Sequence, residues 1–529
     1  MEGKMEKYFK NPILSGFYPD PSICRVGEDY YLATSSFVYY PGLPIFHSKD
    51  LVNWEQIGHG ISRPDQLDYK NCETSLGLWA PTIRCHQGVW YLINTFVSGG
   101  REAKRENFIL TAKRPEGPWS DPVFIEGADG IDPSLFFDED GRMWYTGNFI
   151  VQEPLYEGHH GIYLCELDPD SFQIIGERRV IWDGALTRSH WIEAPHLYKK
   201  GGYYYLMVAE GGTFVDHSVM MARAESVEGP YEPCPRNPIL THRHMSMEAP
   251  VSVVGHGDLF ETQNGEWWMV VLGIRTYQKT HFNTGRETFL VPMHWEEDGW
   301  PMVDNEEGRV RVWERRPNLQ ENKVLPVCGA DQFEGEQLAW CWNTIHPPVE
   351  PFYSLTERES CLRLHLLPQT MEEICCPAFV GRRQQHKSFL AKTAMDFAPE
   401  SEKEECGLAL VQDDRYHYLF LCGGTEKGTQ DGRMLRLYRC EGNGKQLVEE
   451  RKIKPGRIYL TVFCTGETYR FYYGFREDQM ESFGEEQEAA LLSSDVNEGF
   501  TGAYLGMYGT SNGAATEGYG DFDWFVYQG

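Results

Sequence analysis

Between residues 17 and 273 one pattern of apolar and polar positions recurs: a short polar start, a few apolar residues, a turn containing glycine, then an aromatic pair opening a second apolar run. It is read in FYPDPSICRVGEDYYLATSSF (17–37), LWAPTIRCHQGVWYLINTF (78–96), IDPSLFFDEDGRMWYTGNF (131–149), IEAPHLYKKGGYYYLMVAEGG (192–212) and GHGDLFETQNGEWWMVVLG (255–273). Two short apolar runs around a glycine turn predict a β-hairpin. The aromatic pairs are Tyr30 with Tyr31, Trp90 with Tyr91, Trp144 with Tyr145, Tyr204 with Tyr205, and Trp267 with Trp268. Gly27, Gly88, Gly141, Gly202 and Gly265 mark the turns. A spacing of roughly 50 to 60 residues is that of propeller blades, and NFILTAKR and GIYLCEL supply further strands. Helical periodicity is nearly absent. The expectation is an all-β chain whose residues 1–315 form a five-bladed β-propeller.

Past Trp313 the pattern changes. RRPNLQENKVLPVCGADQF is charged, contains proline and has no periodicity, which predicts a linker over residues 316–332. CLRLHLL, AKTAMDF, GLALVQ, YHYLFLC, RMLRLYRC, IYLTVFC and TYRFYYGF then read as short strands of a β-sandwich over residues 333–529. The terminal GDFDWFVYQG is expected to be a docked strand with Phe522, Trp524 and Val526 on one face.

The innermost strand of every propeller blade faces the axis, so equivalent positions of the repeat converge. Those positions are Asp20, Ala80, Asp132, Ala194 with Glu193 just before it, and His256. Isolated, an Asp before a Pro starts a turn and a Glu is solvated. Converging, three carboxylates in a cleft are candidates for acid and base chemistry. Inverting glycoside cleavage needs a protonated acid for the leaving oxygen and an ionised base for the attacking water. A third carboxylate beside the acid raises its pKa. Glu193, in the more apolar strand, is the candidate acid, Asp20 the base and Asp132 the modulator. Phe37 and Trp79, beside these positions, are expected to wall a sugar pocket.

Composition narrows the partners. A formal net charge of −29 argues against nucleic acid and anionic membranes. No apolar run approaches the roughly 20 residues of a bilayer span. The start MEGKMEKYFKNPIL lacks the apolar core of a secretory signal, and the 14 cysteines show no C-x-x-C pair. A cytoplasmic protein with reduced thiols is expected, binding a small oligosaccharide, with self-association left open.

The ordered segments NPILSGFYPDPS, SKDLVNWEQIG, GLWAPTI, GIDPSLFFDEDG, WIEAPHLY and GHGDLFETQNGEWW resemble glycoside hydrolase family 43 over almost the whole chain. The resemblance implies an inverting, exo-acting enzyme of the β-xylosidase or α-L-arabinofuranosidase type, with a five-bladed propeller and a concanavalin-like sandwich that helps close the pocket. It implies Asp20 as base, Asp132 as modulator and Glu193 as acid, Arg286 as a charge near the catalytic centre, and His256 as an axial residue that in some members contacts calcium or water. No cofactor is implied beyond that axial calcium. Two departures weaken a xylose assignment. Thr82 stands where many xylosidase-like members carry Asp, and the loop TGNFIVQEP lacks an expected tryptophan. The competing readings are a sugar-binding propeller without catalysis, an endo-arabinanase and a phosphorylase; the last would need several cations to hold phosphate.

Overall fold

The computed structural model describes residues 7–100, 103–186, 188–324, 329–425, 432–442 and 444–529. Residues 325–328 of the expected linker lie outside the described residues. The first three hundred residues form a β-propeller. Its sheets meander outward from inner strands Ser22–Val26, Gly77–His86, Ser134–Phe137, Glu193–Lys200 and Ser252–Glu261. Neighbouring inner strands touch in chain order and the fifth touches the first, which closes a ring. Tyr8–Lys10 pairs with Trp313–Arg315, joining the start of the propeller to its end.

The repeat explains this architecture. The five hairpin glycines have φ between 64° and 88°, a region costly for residues with a Cβ. Each aromatic pair opens the second strand of its sheet, where successive side chains point to opposite faces. One ring can therefore meet the sheet on either side. Tyr31 packs edge-on against Trp90 of the next sheet at 4.5 Å between centroids, and Tyr30 meets Phe260 of the fifth sheet at 5.9 Å.

A buried polar group ties the ring at its axis. Arg84 reaches from the second inner strand to Asp258 in the fifth at 2.9 Å, and to His196 Nδ1 in the fourth at 3.1 Å. Ser22 of the first strand donates to Asp258 at 2.8 Å, Tyr198 of the fourth donates at 2.7 Å, and Ser134 of the third lies 3.0 Å from His196 Nδ1. A guanidinium can only donate, so His196 Nδ1 is an acceptor and the ring is neutral. Burial, its largest influence, lowers the His196 pKa to about 3.

The C-terminal half is a β-sandwich of two antiparallel sheets. One runs in the order Ala378–Arg383, Tyr504–Thr510, Glu405–Val411, Tyr416–Gly423, Arg433–Glu441, Gly444–Ile453. The other centres on Tyr519–Gln528 and Phe389–Phe397. Ala330–Asp331 already pairs with Tyr519–Gln528, so the sandwich begins before Phe333. The terminal strand is docked, but Phe522, Trp524 and Val526 do not share a buried face. Opposite the Ala394–Met395 step the terminal strand carries one extra residue, Asp523, which shifts the register, and the buried side passes from Phe522 to Phe525 and Tyr527.

A shared core fastens the halves: Phe17, Phe37 and Tyr39 of the propeller pack with Phe379, Leu419 and Tyr504 of the sandwich. Tyr39 stacks on Tyr504 at 3.6 Å, and Arg383 donates to the Phe17 carbonyl at 2.7 Å.

Replacing Asp258 by Asn leaves the Arg84 charge buried and unpaired, and is expected to cost about 3–5 kcal/mol in denaturant unfolding. A loss under about 1 kcal/mol, the scale of a surface pair, would contradict the axial tie. Burial pushes the Asp258 pKa up, but Arg84, His196 and the hydrogen bonds of Arg84 and Tyr198 prevail and hold it at about 2. Its contribution to stability is therefore complete above the ordinary 3.8 and is lost as pH falls through about 2.

Candidate active site

Two residues above the axial tie, four of the five inner strands carry a distorted step. Asp20, Asp132, Ala194 and His256 have φ of 54°, 54°, 53° and 47°, left-handed values uncommon outside glycine. Register shifts follow in the second, fourth and fifth sheets, between Leu78 and Pro81, Glu193 and His196, and Ser252 and Gly257. Bulges of this kind re-aim side chains near active sites. Asp20, Asp132, Glu193 and His256 all line one pocket.

Phe37, Trp79 and Arg286 line the same pocket, so the structure gathers every site residue expected from the sequence. It adds Thr213 and, from the sandwich, Phe500. Phe37 is held on the entrance of the second inner strand by its N–H to Leu78 O at 2.9 Å and by Leu78 N–H to Phe37 O at 3.0 Å. Gly77 makes that approach possible: a Cβ there would lie 2.4 Å from the Phe37 carbonyl oxygen. Phe500 stacks against Phe37 at 6.3 Å and meets Trp79 edge-on at 6.1 Å, and its N–H donates to Ser75 Oγ at 3.0 Å. Nothing in the NEGFTGAY segment signals this role, because the contact joins residues more than four hundred positions apart.

The carboxylates have unequal surroundings. Asp20 receives Arg286 Nη1 at 2.8 Å and Ser35 Oγ at 2.5 Å. Asp132 accepts the Ala194 N–H at 3.0 Å, which fixes the strand entrance carrying Glu193. His256 Nδ1 lies 3.9 Å from Asp20 and 4.0 Å from Asp132. Burial is the main influence on Glu193 and, with Asp132 and Asp20 adding to it, drives its pKa well above 4.5. Burial also raises Asp132, to about 6, with Asp20 adding to the rise and His256 opposing it.

Asn148 is a positioning residue that sequence reasoning missed. Its Oδ1 accepts the Ile131 N–H at 2.8 Å and its Nδ2 donates to Ile192 O at 3.2 Å, so one amide holds the residues preceding Asp132 and Glu193. It lies in TGNFIVQEP, whose first five residues are strand and not loop. Thr82 does not line the pocket; it donates to Pro133 O at 2.9 Å and ties two inner strands.

Calcium requires six to eight oxygen ligands. In the layer below His256 the inner strands place the Arg84 guanidinium, bonded to Asp258 and His196, and the donor set of that layer does not fit the ion.

A carbon-13 carboxyl titration is expected to place the Glu193 midpoint well above 4.5, and Asp132→Asn should move it down by removing a neighbouring negative charge. An unchanged midpoint in the variant would refute that coupling.

Comparison with known proteins agrees with the two-part architecture. A model of glycosyl hydrolases family 43 matches residues 9–301, and a model of the beta xylosidase C-terminal Concanavalin A-like domain matches residues 330–528. The chain is 39% identical to a xylosidase/arabinosidase of Butyrivibrio fibrisolvens over 98% of this chain and 99% of that protein. It is 38% identical to a non-reducing end alpha-L-arabinofuranosidase of Bacteroides ovatus, over 99% and 95% of the respective lengths. Among solved structures, a xylan beta-1,4-xylosidase from Bacillus halodurans superimposes with a TM-score of 0.92 at 35% identity, covering 98% of this chain and all of that one.

Proposed function

The chain belongs to glycosyl hydrolases family 43, and we propose that it is an inverting, exo-acting hydrolase. It releases one pentose, α-L-arabinofuranose or β-D-xylose, from the nonreducing end of hemicellulose-derived oligosaccharides. The observation that carries this reading is the convergence of Asp20, Asp132 and Glu193 in one pocket closed by Phe500. The names of the relatives support the pentose class, since they cover both xylosidases and arabinofuranosidases. Arabinofuranose and xylopyranose are similar in size, so one pocket can accept both with discrimination of only a few kcal/mol, on the order of a single hydrogen bond.

In the proposed step, water attacks the anomeric carbon while Asp20, held by Arg286 and Ser35, takes its proton. The glycosidic C–O bond breaks as Glu193 gives its proton to the leaving oxygen. The anomeric configuration inverts, and proton exchange with water resets the two carboxyls. Asp132 keeps Glu193 protonated by like charge and keeps it placed through the Ala194 N–H. A binding propeller without catalysis gains nothing from acids whose burial resists ionisation. The reading extends to a reducing, cytoplasmic setting, which thiols outside any disulfide at Cys24, Cys72, Cys165 and Cys406 support.

The deciding experiment pairs aryl β-xyloside with aryl α-arabinofuranoside and follows the product anomer by NMR; a first-formed product of retained configuration would exclude this mechanism. In Glu193→Gln, hydrolysis of a natural disaccharide should fall by about 10²- to 10⁴-fold. An activated aryl glycoside should keep part of its rate, because a good leaving group needs less protonation. Equal losses on the two substrates would count against the acid role.

Phe500→Ala removes ring contacts of about 1.5 kcal/mol. KM should rise about tenfold, the unfolding midpoint should fall with the lost Phe37 and Trp79 contacts, and an unaltered KM would remove Phe500 from the sugar wall.

A further inference from the structure

Away from the catalytic pocket, the sandwich brings together Glu372, His417 and Cys440, with one ligand atom of each within 4.8 Å of the others. His417 and Cys440 are direct cross-strand partners and so project from the same face of their sheet. Glu372 reaches that face from the connection between Leu362–His365 and Ala378–Arg383. His417 is fully buried and Cys440 nearly so.

The hydrogen bonding of His417 leaves one nitrogen open. Its Nδ1 lies 3.2 Å from the Asp413 carbonyl oxygen, which can only accept, so Nδ1 carries the proton and Nε2 keeps its lone pair. That Nε2 is buried without a hydrogen-bond partner, as is Glu372 Oε2. A buried acceptor left unsatisfied costs about 1–3 kcal/mol. A carbonyl fixing the tautomer of an imidazole whose other nitrogen is free is also the arrangement that prepares a histidine for a metal.

We propose that Glu372, His417 and Cys440 form a zinc site that fastens the 369–376 connection to the sheet. Imidazole, thiolate and carboxylate suit a borderline-soft divalent ion, and tetrahedral zinc sets such ligand atoms about 3.3–3.6 Å apart, a contraction of at most about 1.5 Å from the present spacing. Thiolate and carboxylate together balance the ion's charge. On binding, the Cys440 S–H bond breaks, its proton passes to solvent and a Zn–S bond forms, with water as fourth ligand. Lys445 Nζ, now 3.1 Å from Glu372 Oε1 and partly exposed, is the cation the metal replaces, and its flexible stem lets it turn to water. The neighbouring Met371 gives its N–H to Tyr508 and packs in the core that joins the sandwich to Phe17 and Phe37, so the fastened segment bears on the joint between the halves.

The test uses the full chain, stripped with a chelator and reloaded with zinc. One zinc per chain is expected after gel filtration, together with a higher unfolding midpoint. Glu372→Gln and Cys440→Ser should lose the ion, while the double variant Cys375→Ser, Cys376→Ser should keep it. Because Cys440→Ser can fail to fold, cobalt(II) is loaded in parallel into the unaltered protein, where a thiolate-to-cobalt charge-transfer band is expected. Absence of both bound zinc and that band in the unaltered protein overturns the proposal, as does zinc retained by folded Cys440→Ser.

Discussion

The molecule turns on a single guanidinium. Arg84 stands among the inner strands, and Asp258, His196, Ser22, Tyr198 and Ser134 all join the network around it. A charge placed there would be prohibitive without partners. Once partnered, it specifies how far apart the strands sit and which residue faces which. The pocket lies two residues back along the same strands, so its geometry inherits that spacing: Ser22 below Asp20, Ser134 below Asp132, His196 below Ala194, Asp258 below His256.

The left-handed steps at Asp20, Asp132, Ala194 and His256 are the second constraint. Each costs free energy that an ordinary strand would not spend, of order 1–3 kcal/mol. The surrounding bonds hold them: Asp20 through Arg286 and Ser35, Ala194 through Asp132, and the third and fourth strand entrances through Asn148. Strain and support meet at the residues that carry the proposed chemistry.

Much of this was legible in the chain. The hairpin repeat marked the sheets, and its register alone brought Asp20, Asp132 and Glu193 together, because equivalent positions of a ring must share one centre. The same register advanced by two residues contains most of the axial tie, a signal in Ser22, Ser134, His196 and Asp258 that an emphasis on Asp-Pro steps passed over. Other features had no local signal. Phe500 is placed by packing between halves that no periodicity connects, and Asn148 looks like any strand amide until Ile131 and Ile192 flank it. In the terminal strand, strict alternation fails because Asp523 is an extra residue facing the Ala394–Met395 step, and nothing in GDFDWFVYQG shows which residue the partner strand will skip.

The lateness of Phe500 in the chain has a consequence for biosynthesis. A ribosome releases the whole propeller long before it reaches the aromatic ring that covers the pocket, and domains fold as they emerge. The nascent propeller therefore lacks that ring until residue 500 has emerged. A message cut short within the sandwich yields a protein whose acids are in place but whose roof is missing.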